Sequence, residues 1–272
     1  MGFMRMKIKT FIVATTGDRF ASLMQLLKSL EFYLLNGWNG IIVGQKYSAE
    51  HIDEIKKFLS ACNGNNVVLN FDDYLGAHSA KVYALNNFKS DFWCSLDDDM
   101  EIIEGLTNYG KIVTLLEQDK SIGFISGNWA RTRELSLKKG VKDELIQQKL
   151  VYTGGGLLFR DDVAEIVRNI PNDEYLFDDC LWAVYAYING YDNYRYRGSV
   201  AAHKICAKGG RRTWLAVSTN KKKLPPESIL QVRKGNTNKI GYDEYLICVD
   251  KDVTDYAKEL HLQNIKAKEV SK

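Results

Sequence analysis

Asp97, Asp98 and Asp99 close the run Asp-Phe-Trp-Cys-Ser-Leu-Asp-Asp-Asp that occupies residues 91–99. Adjacent carboxylates repel, and an apolar segment gains no stability by ending in three of them. A hard divalent cation removes the conflict, because Mg2+ or Mn2+ takes oxygen ligands and bridges protein carboxylates to phosphates. The apolar residues before the cluster read as a strand. Open α/β sheets bind ligands at the C-terminal ends of their strands, which is where this strand would deliver the three carboxylates. The chemistry expected is a metal-assisted phosphate or diphosphate site; the plain alternative is a solvated acidic turn.

The elements that must position such a site follow from periodicity. Lys7–Thr15 is a strand, and Thr16-Gly17-Asp18 turns it into a helix with Leu23, Leu26, Leu27, Leu30 and Leu34 on one face, stopped by Asn36-Gly37. Gly40–Gly44 is a second strand, followed by a helix that Ser48 caps and that buries Ile52, Ile55 and Leu59. Val67–Phe71 is a third strand, and a helix over Ser79–Asn87 leads to the strand that ends at Asp97. This alternation predicts a parallel sheet with helices on both faces.

The second half is less regular. Ile122–Gly127 reads as a strand, and the polar stretch Asn128–Lys149 as a loop with an exposed helix. Thr153-Gly154-Gly155-Gly156 leads into a strand at Leu157–Phe159 and a short helix with Val163, Ile166 and Val167. Phe177-Asp178-Asp179 opens a helix closed by Asn189-Gly190, and Asn193–Gly198 is a strand that ends near His203. Beyond Pro225-Pro226 one further strand (Tyr245–Asp250) and helix (Val253–Leu260) are expected.

Bulk properties narrow the classes. A chain of 272 residues with 45% hydrophobic content can bury one substantial core. Five cysteines without a CxxC pair, three of them in apolar runs, point to reduced thiols and a cytoplasmic protein. Four histidines show no zinc-ligand spacing, and no apolar stretch reaches membrane-spanning length. The net charge of +3 hides a segregation. Between Arg195 and Ile240 twelve Lys/Arg face one acid, 12 − 1 = +11, which leaves 25 − 33 = −8 elsewhere. Such a segment attracts polyanions, or is a solvated basic loop.

Taken in order, the nucleotide-type first strand, the strand ending in the DxD-like Asp97-Asp98-Asp99, the glycine-led strand, the helix opened by acids and the later His203 resemble a glycosyltransferase of the GT-A fold over about Lys7 to Trp214. The resemblance implies a Rossmann-like α/β fold with a mixed, mostly parallel central sheet flanked by helices, and a nucleotide-sugar donor, UDP-sugars favoured. Residues 1–214 would form the glycosyltransferase domain, with a basic C-terminal extension over 215–272 packed on it. The sequence departs from the pattern at Phe177-Asp178-Asp179, where many relatives carry Glu-Asp.

Carried over residue by residue, the resemblance implies that Thr15, Thr16, Asp18 and Arg19 line the nucleotide pocket. A strand end before a helix N-terminus offers free N–H groups to a polar ligand, although Asp18 reads equally well as a helix cap. Lys81 stands where the family approaches the base or donor, and Gly155 and Gly156 where the chain passes the donor. Asp97 would approach the ribose and share the metal, Asp99 would coordinate it, Asp98 could serve either role, and His203 would complete the set for Mn2+ or Mg2+. Lys204, Arg211 and Arg212, near the Gly209-Gly210 hinge, would close over the diphosphate. An inverting transfer needs a general base, and Asp179 or Asp178 at a helix N-terminus is the candidate; capping is their alternative use.

The acceptor is either a carbohydrate-type hydroxyl or, because of the +11 segment and its neighbouring aromatics, a hydroxymethylated base in DNA. Two other classes compete. A nucleotidyltransferase would use the same sheet and metal, but Thr15-Thr16-Gly17-Asp18-Arg19 matches its Gly-rich signature poorly. A non-catalytic nucleic-acid-binding protein would leave Asp97–Asp99 idle.

Overall fold

A computed structural model describes residues 7–130, 141–148, 155–170 and 178–203. Strand β1 (Lys9–Thr16) runs through the middle of one sheet. Its parallel neighbours are β2 (Trp38–Gln45) and β4 (Phe92–Asp97), and β3 (Val67–Phe71) adds to the outer side of β2. The remaining strands are β5 (Met100–Ile102), β6 (Ile122–Ala130), β7 (Leu145–Gln147), β8 (Leu157–Arg160) and β9 (Asp192–His203). The order is β3-β2-β1-β4-β8-β6-β9-β5, with β7 paired to β9. Strands β3, β2, β1 and β4 are parallel; β8 then runs antiparallel to both β4 and β6. The sheet is mixed, with its parallel half at the N-terminal side.

Helices cover both faces. Alternate residues of β1 serve opposite cores: Phe11 and Val13 join α1 (Phe20–Leu35), α2 (Ala49–Ser60) and α4 (Tyr109–Gln118). Ile12 and Ala14 join α3 (Ala77–Asn87), α5 (Asp161–Arg168) and α6 (Asp178–Ile188). This two-sided burial is why β1 reads as a continuous apolar run. Each fully buried Leu, Ile or Val contributes about 1.5–3 kcal/mol. Helix α1 stops where expected: Asn36 satisfies the carbonyls of Phe32 and Tyr33, and Gly37 takes φ +83°. Ser48 caps α2 by accepting the N–H of His51.

The structure corrects several expectations. Strand β6 continues to Ala130, and the polar stretch after it also supplies β7, an edge strand on β9; residues 131–140, and with them the exposed helix expected there, lie outside the described set. Helix α4 and the three-residue β5 come in addition to the elements expected. Asp18 does not cap α1. It sits in a 3₁₀ turn, Gly17–Arg19, and accepts the Thr16 hydroxyl at 2.5 Å. The expected domain boundary at 214 and the strand and helix beyond Pro226 lie outside the described residues.

The glycines before β8 answer to packing. A Cβ on Gly155 would stand 2.1 Å from the carbonyl oxygen of Gly127 on β6, and Gly156 takes φ +84° beside the Tyr109 ring. Gly155→Ala should therefore lower stability by about 2–3 kcal/mol through overpacking. Gly110→Ala, whose Cβ would meet only Asn108 Oδ1 at 3.8 Å, should be neutral or slightly stabilising in α4. Urea unfolding midpoints compare the two; equal midpoints would remove the packing account.

Candidate functional site

The three carboxylates leave β4 at the C-terminal edge of the parallel strands, and each meets a different environment. Asp98 is 1% exposed. Its Oδ2 accepts the Thr15 hydroxyl at 2.7 Å, and its Oδ1 pairs with Arg19 Nη2 at 2.8 Å. The one Thr15 proton is committed to Asp98, so the Tyr47 hydroxyl, 2.8 Å away, donates to Thr15 in turn. Burial pushes the Tyr47 hydroxyl up, which keeps it a neutral donor. Burial also pushes Asp98 up to about 7, against the opposing pull of Arg19 and the Thr15 hydrogen bond. Arg19 reaches Asp99 Oδ2 at 3.0 Å with the same nitrogen.

Asp97 is separate. Its side chain is 35% exposed, and its Oδ1 lies 3.7 Å from Lys81 Nζ, a contact at the outer limit of an ion pair. Lys81 is 2% exposed on α3, and the same ammonium sits 5.7 Å from the centroid of the Trp182 ring. A buried lysine of this kind is held by a counter-charge and an aromatic face together. Trp182 belongs to α6, one helical turn after Asp179, which is itself buried. The structure thus connects the end of β4 to the start of α6 through Lys81 and Trp182.

Register brings in the last expected residue. Strand β5 follows Asp99 directly and pairs antiparallel with β9, with Met100 opposite His203 and Ile102 opposite Ala201. The backbone of residue 203 therefore stands across from the residue after Asp99. Among the described residues no three His, Cys, Asp or Glu side chains converge as a metal-binding group. Asp98 is withdrawn into the Arg19–Thr15 network, and the side chains of His203 and Asp178 are not among those described. Asp97 and Asp99 nonetheless present carboxylate oxygens of the kind that Mn2+ accepts, and the backbone of residue 203 stands in register beside them. The residues present fit such a cation.

Thr15, Arg19, Asp98 and Asp99 come together, as do Lys81 and Asp97; Thr16 and Asp18 pair beside them. Gly155 and Gly156 meet protein, namely β6 and Tyr109. Lys204, Arg211 and Arg212 lie outside the described residues. Sequence reasoning passed over Gln45, Tyr47, His78 and Trp182. Gln45 is fully buried at the end of β2, and its Oε1 accepts the N–H groups of Leu75 (2.6 Å) and Gly76 (3.1 Å), fixing the start of α3. Only a polar residue just past an apolar strand would have marked it.

Sequence comparison finds no matching protein family and no similar curated protein. Structural comparison does find similar folds: the fold is the GT-A fold seen in glycosyltransferase structures. The chain is similar to TarS residues 1–349 from S. aureus, with TM-score 0.58 and 12% identity over 94% of this chain and 89% of that one. It is also similar to the mannosyltransferase PcManGT from Pyrobaculum calidifontis in complex with GDP-Man and Mn2+, with TM-score 0.61 and 13% identity over 99% and 77% of the two chains. GalNAc-T7 with UDP, GalNAc and Mn2+ gives TM-score 0.60 and 10% identity, over 94% of this chain and 55% of that one. No helix among the described residues is long and apolar enough to cross a membrane.

The raised Asp98 value gives a signed expectation. The folded protein holds a proton that the unfolded chain releases near its ordinary value of 3.8, so it binds more protons than the unfolded state between pH 4 and 7. Stability contributed by protonated Asp98 is complete below about pH 4 and is lost as pH rises through about 7. Asp98→Asn, permanently neutral, should remove this component. Urea unfolding of both proteins without added metal, at pH 4.5, 6 and 8 (roughly spanning that window), should show the variant gaining on the wild type as pH rises. A constant difference would place the Asp98 proton elsewhere.

Proposed function

We propose that the protein transfers a sugar from a nucleotide diphosphate-sugar, with UDP-sugars the favoured donors, to a hydroxyl acceptor in a reaction that depends on Mn2+ or Mg2+. The observation that carries this reading is the end of β4. Three consecutive carboxylates are divided between Arg19 and Lys81, on a fold whose similar structures include complexes with UDP-GlcNAc, with GDP-Man and Mn2+, and with UDP and Mn2+. Asp97, Asp99 and His203 would hold the cation, and the chemistry it would supply is neutralisation of charge on the departing diphosphate. Thr15, Thr16, Asp18 and Arg19 shape the nucleotide side from the end of β1. Lys204, Arg211 and Arg212, directly after His203, add charge-assisted hydrogen bonds to the diphosphate and exclude water that would otherwise hydrolyse the donor. Asp179, with Asp178 beside it, takes the proton of the acceptor hydroxyl in an inverting transfer.

In this reading residues 1–214 are the transferase domain and 215–272 an extension packed on it. The buried free thiol of Cys94 accords with a cytoplasmic setting. The test is turnover of a panel of nucleotide sugars with Mn2+, followed by release of nucleoside diphosphate. Asp99→Ala should abolish release and also the Mn2+-dependent rise in melting temperature produced by the nucleoside diphosphate. Full activity in this variant would end the proposal. Asp179→Asn should lower transfer by about 10²-fold or more while nucleotide binding stays, as loss of a general base does.

The charge segregation favours a second reading of the acceptor, a hydroxymethylated base in duplex DNA. Binding to duplex DNA should then be measurable at low salt and weaken steeply as salt rises, with about one counterion released per phosphate neutralised. Replacing Lys221, Lys222 and Lys223 with Gln should flatten that slope and leave donor hydrolysis intact. Mobility shifts that show no binding at low salt would leave a carbohydrate acceptor.

A further inference from the structure

His78 takes no part in the chemistry proposed above, yet it is 1% exposed and sits beside the site on the second residue of α3. Its Nδ1 accepts the indole N–H of Trp182 at 2.9 Å, and Trp182 is completely buried. An imidazole whose Nδ1 accepts carries its proton on Nε2 when neutral, so the bond fixes one tautomer and one ring orientation. Lys81 lies one turn further along the same face of α3 and places its ammonium over the same indole. The two α3 residues grip one side chain from α6, His78 by its polar edge and Lys81 by its face.

The grip has a rigid base on one side and the proposed base on the other. The start of α3 is tied to β2 through Gln45, which accepts the N–H groups of Leu75 and Gly76, and Lys81 reaches Asp97. On α6, Trp182 stands one turn after Asp179. The indole is therefore a side chain through which α3, anchored at the end of β2, holds the first turn of α6. A hydrogen bond fixes rotation and depth of an indole in a way that burial alone does not.

We infer that His78 is a positioning residue for acceptor activation: through its bond to Trp182 it sets the first turn of α6, and with it Asp179, relative to the carboxylates at the end of β4. This rests on the glycosyltransferase reading. Displacing a general base by a fraction of an ångström slows proton transfer without changing how the donor binds. A residue that only supported the core would affect donor binding, transfer and stability together.

Three variants separate the possibilities. Trp182→Phe keeps the ring under Lys81 and removes only the N–H. His78→Asn keeps an acceptor close to the Nδ1 position, and His78→Leu removes it. Trp182→Phe and His78→Leu should lower kcat for transfer about tenfold, with the donor KM and the Mn2+–nucleotide thermal shift unchanged, and His78→Asn should recover most of the loss. Amide hydrogen exchange, read without any substrate, should accelerate in the first turn of α6 in Trp182→Phe and His78→Leu, and stay at the wild-type rate in His78→Asn. Unchanged exchange in α6, or a fall in donor affinity that parallels kcat, would overturn the inference. If the wild type turns over no nucleotide sugar, the glycosyltransferase reading fails with it, while the exchange pattern still decides whether the bond holds that turn.

Discussion

The constraint on which this site depends is the burial of Asp98. A carboxylate withdrawn from water between two other carboxylates is unfavourable unless the protein supplies its partners, because burial penalises its charge first and the neighbouring carboxylates repel it second. Arg19, Thr15 and, behind Thr15, Tyr47 supply them. These come from the turn after β1, from β1 itself and from the loop after β2. The ends of two neighbouring strands are therefore tied to the turn after β4 by one buried polar network. Satisfying Asp98 is also what separates the other two carboxylates: Asp99 shares Arg19, and Asp97 is left on the opposite side with Lys81. The acidic triplet works as three differently placed groups.

The sheet order explains why those partners are at hand. With β1 between β2 and β4, the parallel strands deliver Thr15, Gln45 and Asp97 to one edge, and the helices that follow β1 and β3 start there. After β4 the direction changes, since β8 is antiparallel, and Gly155 against Gly127 lets the backbones of β8 and β6 approach more closely than any side chain would permit. That close contact belongs to the same stretch that leads the chain back across the sheet toward α6.

Much of this was legible in the sequence because the physics was local. Strand β3 fell on Val67–Phe71, and the burial of Ile52, Ile55 and Leu59 on α2 followed from their spacing. What escaped was short or non-local. Helix α4 begins Tyr-Gly-Lys-Ile-Val-Thr, where a glycine and β-branched residues carry weak helical preference, and its burial under the sheet decides the matter. Strands β5 and β7 have three residues each, too few for any period to show; they exist because β9 presents edges to pair with. Gln45 and His78 carry no motif, since a polar side chain announces itself only through partners 30 and 104 residues away. The carboxylates were conspicuous in sequence. Their division of labour was not, because it is set by Arg19 and Lys81 from other elements.

Charge balance at the end of β4 closes the physical case. Among the described residues Asp97, Asp98 and Asp99 meet Arg19 and Lys81, with Asp18 in the turn beside them, so carboxylates outnumber these two cations before any ligand arrives. A proton on Asp98, which its position near 7 makes common at neutral pH, lowers that excess by one. A divalent cation arriving alone would compete with Arg19, which already occupies one oxygen of Asp99. A diphosphate that arrives with its cation brings its own compensating negative charge, and then Arg19 and Lys81 become favourable neighbours. Arg19 and Lys81 thus favour a cation and an anionic leaving group bound together over either one separately. That preference is the one on which the proposed transfer from a nucleotide diphosphate-sugar would draw, because there the cation and the diphosphate arrive as one ligand.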